Sequence, residues 1–232
     1  MLRKALVLSA ALLTLPHHAL AQDRGFFNPA RIVASIGTAI DDDHSITGAA
    51  GLPERINLHR MLMYRLQLNF LLLLPAVFAA SRDEPDLLYF NAPASRGHDR
   101  WELEATTGLT GRHGNVSSLQ NVFGGVFPTA GNTDFMGGYI GLNGRFNGSD
   151  PMNRWSFNLF GNVGFGKGEV DAFGGAFKRE ETGLFYEAGA GVQYRVSDRV
   201  RVGPTISYFH FDQGAVEMKD WTAEFTVTID LN

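Results

Sequence analysis

Near the C-terminus, the stretch ISYFHFDQ carries Ser207, His210 and Asp212, and Glu224 follows in the next alternating segment. A hydroxyl, an imidazole and a carboxylate are the parts of a nucleophile–base–orienter relay. Spacing decides whether they meet. Successive side chains of an extended chain alternate between faces, so Ser207 and His210, three apart, point to opposite sides unless a bulge adds a residue. Ser207, His210 and Glu224 therefore form only a weak catalytic candidate. A second charged set is larger: Glu102, Glu104, Arg145, Glu187, Arg195, Arg201 and Glu224 occupy alternate positions on several segments. Paired carboxylates can serve as general acid and base. Here they alternate with arginines, which suits mutual pairing across a shared interior.

Other chemistry finds little support. His44, His59, His98, His113 and His210 are scattered without ligand-like spacing, and no metal site or cofactor is expected. The run DDDH (41–44) reads as a solvated loop, with cation binding as its alternative. GGVF and GGAF have no following helix and so cradle no phosphate. With no cysteine there is neither disulfide nor thiolate site. A net charge of −4 gives no electrostatic basis for binding nucleic acid.

The elements that must position these residues follow from periodicity. RWSFNLFGNVGFG places Trp155, Phe157, Leu159, Val163 and Phe165 on one face and Ser156, Asn158 and Asn162 on the other. DWTAEFTVTIDL separates Trp221, Ala223, Phe225, Val227, Ile229 and Leu231 from Thr222, Glu224, Thr226, Thr228 and Asp230. Alternation alone fits any half-buried strand, so length decides. These runs exceed the ~5–6 residues of soluble strands and match the ~9–11 of a strand crossing a bilayer. The chain has 232 residues, with 27 glycines and 18 phenylalanines. The fold class expected is all-β: an antiparallel, up-and-down transmembrane β-barrel of eight strands, in the outer membrane of a Gram-negative cell. Trp101, Trp155, Tyr186, Tyr194, Tyr208 and Trp221 are expected at the membrane interfaces.

Domain boundaries are read as follows. Residues 1–22 resemble a secretory signal: Arg3 and Lys4, an apolar run, then Ala19-Leu20-Ala21. Residues 23–60 form a poorly defined extension. Residues 61–80 form a second signal-like apolar segment or, alternatively, a first barrel strand with Tyr64, Leu66, Leu68 and Phe70 outward and Arg65, Gln67 and Asn69 inward. Leu71 to Leu74 on both faces, followed by Pro75, favour the signal reading. The barrel is then expected over 81–232, with strands at 86–91, 100–111, 116–127, 133–146, 154–167, 182–196, 199–211 and 220–231. If 116–127 is instead loop, two strands must come from 22–80. Ser197-Asp198 reads as a tight periplasmic turn. Residues 168–181 and 212–219 read as outer loops, and 114–133 as a loop able to meet other surfaces.

The stretch GAGVQYRVSDRVRVGPTISYFHFD resembles the penultimate hairpin of small outer-membrane barrels of the OmpA-like and opacity-protein type. The matching residues are Gly189, Gly191, Tyr194, Ser197, Asp198, Val200, Val202, Tyr208 and Phe211. The resemblance implies an eight-stranded barrel in the outer membrane, placed there by barrel-assembly machinery. Such barrels commonly end in an aromatic residue. This chain ends Asp230-Leu231-Asn232, which implies a weakened or a variant assembly signal. Lipid A deacylases of the PagL type place His and Ser two apart on one strand face, a pattern this chain lacks. The function expected is a non-enzymatic structural or surface-interaction role, with a lumen filled by side chains. The alternatives are a lipid-A-modifying enzyme and a narrow porin. Expected partners are outer-membrane lipid and lipopolysaccharide, with the protein a monomer.

Overall fold

The computed structural model describes residues 29–47, 53–71, 100–121, 123–147 and 154–231. They form eight strands: β1 (Arg31–Thr47), β2 (Pro53–Leu71), β3 (Arg100–Gln120), β4 (Val126–Asn147), β5 (Trp155–Ala172), β6 (Phe177–Arg195), β7 (Val200–Gln213) and β8 (Val216–Asp230). Each pairs antiparallel with its chain neighbour, and β1 pairs with β8 from Arg31↔Asp230 to Ile46↔Val216. The sheet closes on itself, so every strand has two hydrogen-bonded neighbours and no edge is left to hydrocarbon.

The class is the one expected, but the boundaries differ. The first two strands are drawn from 31–47 and 53–71, upstream of the expected start at residue 81. Residues 63–71 are barrel wall, with Arg65, Gln67 and Asn69 buried inside and Tyr64 and Leu62 outside. β2 is described as far as Leu71, and residues 72–80 lie outside the described residues. The expected strands 100–111 and 116–127 are largely one strand, β3, and the 86–91 strand lies outside the described residues, as do residues 1–22. Residues 168–181 are not a loop. They continue β5 and β6 and are joined by a turn of one 3-10 helix, Phe173–Gly175, where Phe173 adopts φ 55 beside Gly174 and Gly175. DDDH is likewise part of β1 rather than a loop.

The reason for these long strands lies in how they change character along their length. On β8 the outward residues run Ile229, Val227, Phe225, Ala223 and Trp221, then Lys219 and Glu217. The inward residues run Asp230, Thr228, Thr226, Glu224, Thr222 and Asp220, then Met218 and Val216. On β6, Tyr194 to Leu184 are apolar outside, and Glu180 and Lys178 follow. Each strand is therefore apolar outside and polar inside near the chain ends, and the reverse at the far end. Solvent explains the inversion: lipid rewards an apolar outer wall, whereas water returns the wall to the polar-out pattern of a soluble barrel. The apolar outer stretch from Trp155 to Phe165 matches the ~9–11 residues of a bilayer crossing.

Register irregularities on β1 to β4 adjust this pattern at one level of the barrel. Ala39 faces Thr222 while Asp41 faces Trp221, which leaves Ile40 extra. Register shifts between β2 and β3 likewise set His59 and Ser117 aside. Each added residue exchanges the faces beyond it, and this turns His44, Ile46, Ile56 and Leu119 inward.

Connections at the far end are short: 48–52, 121–125, 173–176 and 214–215. Residues 72–99, 148–154 and 196–199 join strands at the end that holds Arg31 and Asp230. Long connections at the far end, as expected, are thus not found, because the charged runs read as loops extend the wall itself. Val163→Arg, inside the apolar band, is expected to cost about 2–4 kcal/mol. Asn132→Arg, outward on β4 and opposite Asp171, should change stability by no more than about 0.5 kcal/mol. Equilibrium unfolding from lipid vesicles measures both.

Candidate functional site: the filled lumen

The inward faces of all eight strands meet in one interior, arranged in layers. At the end where β1 begins and β8 finishes, Arg31 bonds Asp230 through Nε at 2.5 Å and Glu102 through Nη2 at 2.6 Å, and also pairs with Glu104. Arg201 takes the other Asp230 oxygen at 2.7 Å. Asn69 and Asn143 each donate to Glu104 Oε2, at 2.5 and 2.6 Å. Gln67 donates to Asn69 Oδ1 at 2.6 Å and accepts from the Tyr139 hydroxyl at 3.0 Å.

The middle layer is built around Glu187. Its carboxylate meets Arg112 Nη2 at 3.0 Å, Arg65 Nη1 at 3.3 Å and Asn162 Nδ2 at 3.3 Å. Arg65 continues to Glu224 at 2.8 Å, and Arg112 continues to Asp220 at 3.1 Å. Buried charges are tolerated when paired and hydrogen-bonded, and this chain of five groups meets that condition. His44 is fully buried beside it, its Nε2 3.8 Å from Asp220.

Above it the interior turns apolar. Phe135 packs edge-on against Phe185, Phe209 and Phe211, with centroids 5.1, 4.8 and 5.2 Å away. Ile46, Ile56, Val116, Leu119, Val170, Val216 and Met218 complete this plug. Arg112 joins the two layers, its guanidinium 3.5 Å from the centroid of the Phe209 ring. Inward glycines make the room: a Cβ on Gly137 would lie 2.6 Å from the Phe185 ring, and one on Gly164 2.5 Å from it. Large and small residues thus interdigitate in a space too narrow for two rings side by side.

The structure places the residues singled out above as follows. Glu102, Glu104, Arg145, Glu187 and Glu224 are buried inside, and Arg195 and Arg201 are half-buried opposite each other at the mouth. Ser207 is fully buried and bonds Glu224 and, at 2.7 Å, Thr222. His210 lies on the outer face, stacked on Tyr186 at 4.8 Å. β7 carries no bulge to bring His210 round to Ser207, so the hydroxyl meets a carboxylate and no imidazole. Trp155 and Tyr194 pack at 5.0 Å near the chain ends, and Tyr208 packs on Trp221 at 5.1 Å where the outer face turns polar, with Tyr186 6.3 Å from Tyr208. The Trp101 side chain lies outside the described set.

Three participants escaped sequence reasoning, Arg31, Arg112 and Asp220. The sequence puts Asp230 on the polar face, and Arg65 inward only in the strand alternative, and neither is counted in the expected charge network. Asp220 and Asp230 share the parity of Glu224, so a signal existed for them. Arg65 alternates with Gln67 and Asn69, a pattern outweighed by the leucines that follow.

A closed eight-stranded wall, apolar outside over a bilayer's depth and charged within, defines a transmembrane β-barrel of the outer-membrane type. No protein-family model matches the chain, and no curated protein matches it. Similar solved structures include Ail, the attachment invasion locus protein of Yersinia pestis, in complex with a heparin analogue. That match has 16% identity over 86% of this chain and 98% of that one, with a TM-score of 0.42. Neisserial surface protein A matches at 11% identity over 87% and 97%, with a TM-score of 0.44. The outer membrane protease OmpT from Escherichia coli matches at 9% over 90% and 99%, with a TM-score of 0.47.

Two predictions follow from the charges. Glu187→Gln leaves Arg65 and Arg112 without their shared carboxylate and is expected to cost about 3–5 kcal/mol in equilibrium unfolding. On the outer face of the far end, the hydrogen bond from Lys167 holds Glu180 below its ordinary value, and that from Lys219 does the same for Glu217. A depressed carboxylate contributes stability above its unfolded pKa, about 4.3, and loses that contribution as pH falls through its folded value. Hydrogen exchange, corrected for intrinsic rates, should show the 167–180 ladder and the β8 start losing protection on acidification. Glu180→Gln should lower the ladder's protection already at pH 7.

Proposed function

We propose that the chain is an outer-membrane β-barrel protein with a structural or cell-surface role, its lumen closed by its own side chains. The observation that carries this reading is the doubly filled interior, a paired polar network below and an aromatic plug above. The chain ends lie on the periplasmic side and the charged far end faces outward. Residues 1–22 direct export, barrel-assembly machinery inserts the protein, and the apolar band contacts membrane lipid and lipopolysaccharide. The protein acts as a monomer. The surface part of the reading is supported by Phe123, Phe127 and Phe173, which stand exposed at the far-end turns.

Separation of Ser207 from His210 speaks against lipid A chemistry at that site, and the plug speaks against a porin. Both competitors have direct tests. The purified protein in planar bilayers is expected to show no conductance steps, and mass spectra of lipid A are expected to be identical with and without expression. Regular single-channel steps would replace this reading with a pore. Loss of an acyl chain from lipid A would replace it with an enzyme.

A further inference from the structure

Arg145 is a lumen arginine with only a distant ion-pair contact among the described residues: Glu102 stands opposite it on β3 but bonds Arg31 at 2.6 Å. The Arg145 side chain is 1% exposed, and its Nε and Nη1 have no hydrogen-bond partner. Its Nη2 reaches only the Gln193 amide oxygen, at 3.5 Å. Among the described residues its ion-pair contact is Asp230 Oδ1 at 3.9 Å, an oxygen already held by Arg31 at 2.5 Å. Glu104 is committed to Arg31, Asn69 and Asn143. A guanidinium taken out of water needs both counter-charge and acceptors, and neither is supplied in full.

A small cavity lies against this group. Arg145, Arg65, Asn143, Asn158, Gln193 and Thr228 are among its walls, and it leaves room for about one water-sized guest. Most of these side chains can donate hydrogen bonds. Asn158 also lacks a donor to its Oδ1, and rotation of its amide would present NH2 to the cavity. Arg145 sits two residues before the end of β4 and Arg65 belongs to the middle layer, so the cavity lies between that layer and the one around Arg31 and Asp230.

We propose that this cavity binds one small monovalent inorganic anion of halide size, held by Arg145 and the amide of Asn158. The size of the space excludes phosphate and sulfate. The anion supplies the charge that Arg31 and Arg201 draw away from Arg145, a role a neutral water cannot fill.

The full folded chain in detergent micelles serves for the test. Crystals grown in sodium bromide should show an anomalous peak in contact with the Arg145 guanidinium. In solution, replacing chloride by gluconate at equal ionic strength should lower the unfolding midpoint, and bromide should restore it with a saturating dependence. Arg145→Met should abolish that dependence. Should this variant not fold, Asn158→Ala should weaken the halide response about tenfold, as loss of one hydrogen bond to an ion does. A water alone at the site, midpoints identical in chloride and gluconate, or a halide response untouched by Asn158→Ala would each overturn the proposal.

Discussion

Eight strands close around a lumen just wide enough for side chains to fill, and most of this molecule follows from that limit. Water cannot solvate what points inward, so each inward group must be satisfied by another. Glu187 therefore serves two arginines at once, and Asp230 is shared by Arg31 and Arg201. The same narrowness explains the glycines facing Phe135 and Phe185: four packed rings fit only where the opposite wall carries no Cβ.

The wall stands in two solvents. Lipid surrounds the half nearer the chain ends and favours aliphatic and aromatic residues outward. Beyond Trp221, Tyr208 and Tyr186 the outer surface carries Lys167, Lys178, Glu180, Lys219 and Glu217, and the interior becomes an ordinary apolar core. A hydrophobic plug so placed seals the polar network from the far end. The bulges at Ile40, His59 and Ser117 sit close to this transition on β1–β3, whereas β5 to β8 pair with one another without a register shift. The first strands thus need an inserted residue to invert, while the later ones invert by sequence alone.

These constraints also bear on chemistry. A buried Ser207 bonded to Glu224 is consumed by the network, and His210 across the wall is stacked on an aromatic. Arginines and carboxylates that resemble catalytic pairs in a list of residues are here the means by which a lumen is closed. Arg145 differs from the other buried arginines in its ion pairing: two of its nitrogens lack a hydrogen-bond partner and its carboxylate contact is 3.9 Å away, whereas Arg65, which also has two nitrogens without a hydrogen bond, meets Glu224 at 2.8 Å.

Strict alternation in 155–165, 184–194 and 221–231 was enough to establish long strands and their outward faces; the expected class and count of eight hold, but two of the eight strands lie upstream of where they were expected. Glu102, Glu104, Glu187 and Glu224 could be placed inside by parity alone, because that parity depends only on the two-residue repeat of an extended chain. The start of the barrel was not legible. Leu71 to Leu74 and Pro75 outweighed the alternation of Arg65, Gln67 and Asn69, and only closure against β1 and β3 shows residues 53–71 to be wall. The charged runs at 41–44 and 168–181 looked like loops because polar outward residues above the membrane carry no lipid signal. Which carboxylate meets which arginine was likewise decided by tertiary structure. Partners such as Arg31 and Glu102 lie 71 residues apart, and only the closed cylinder brings their strands face to face.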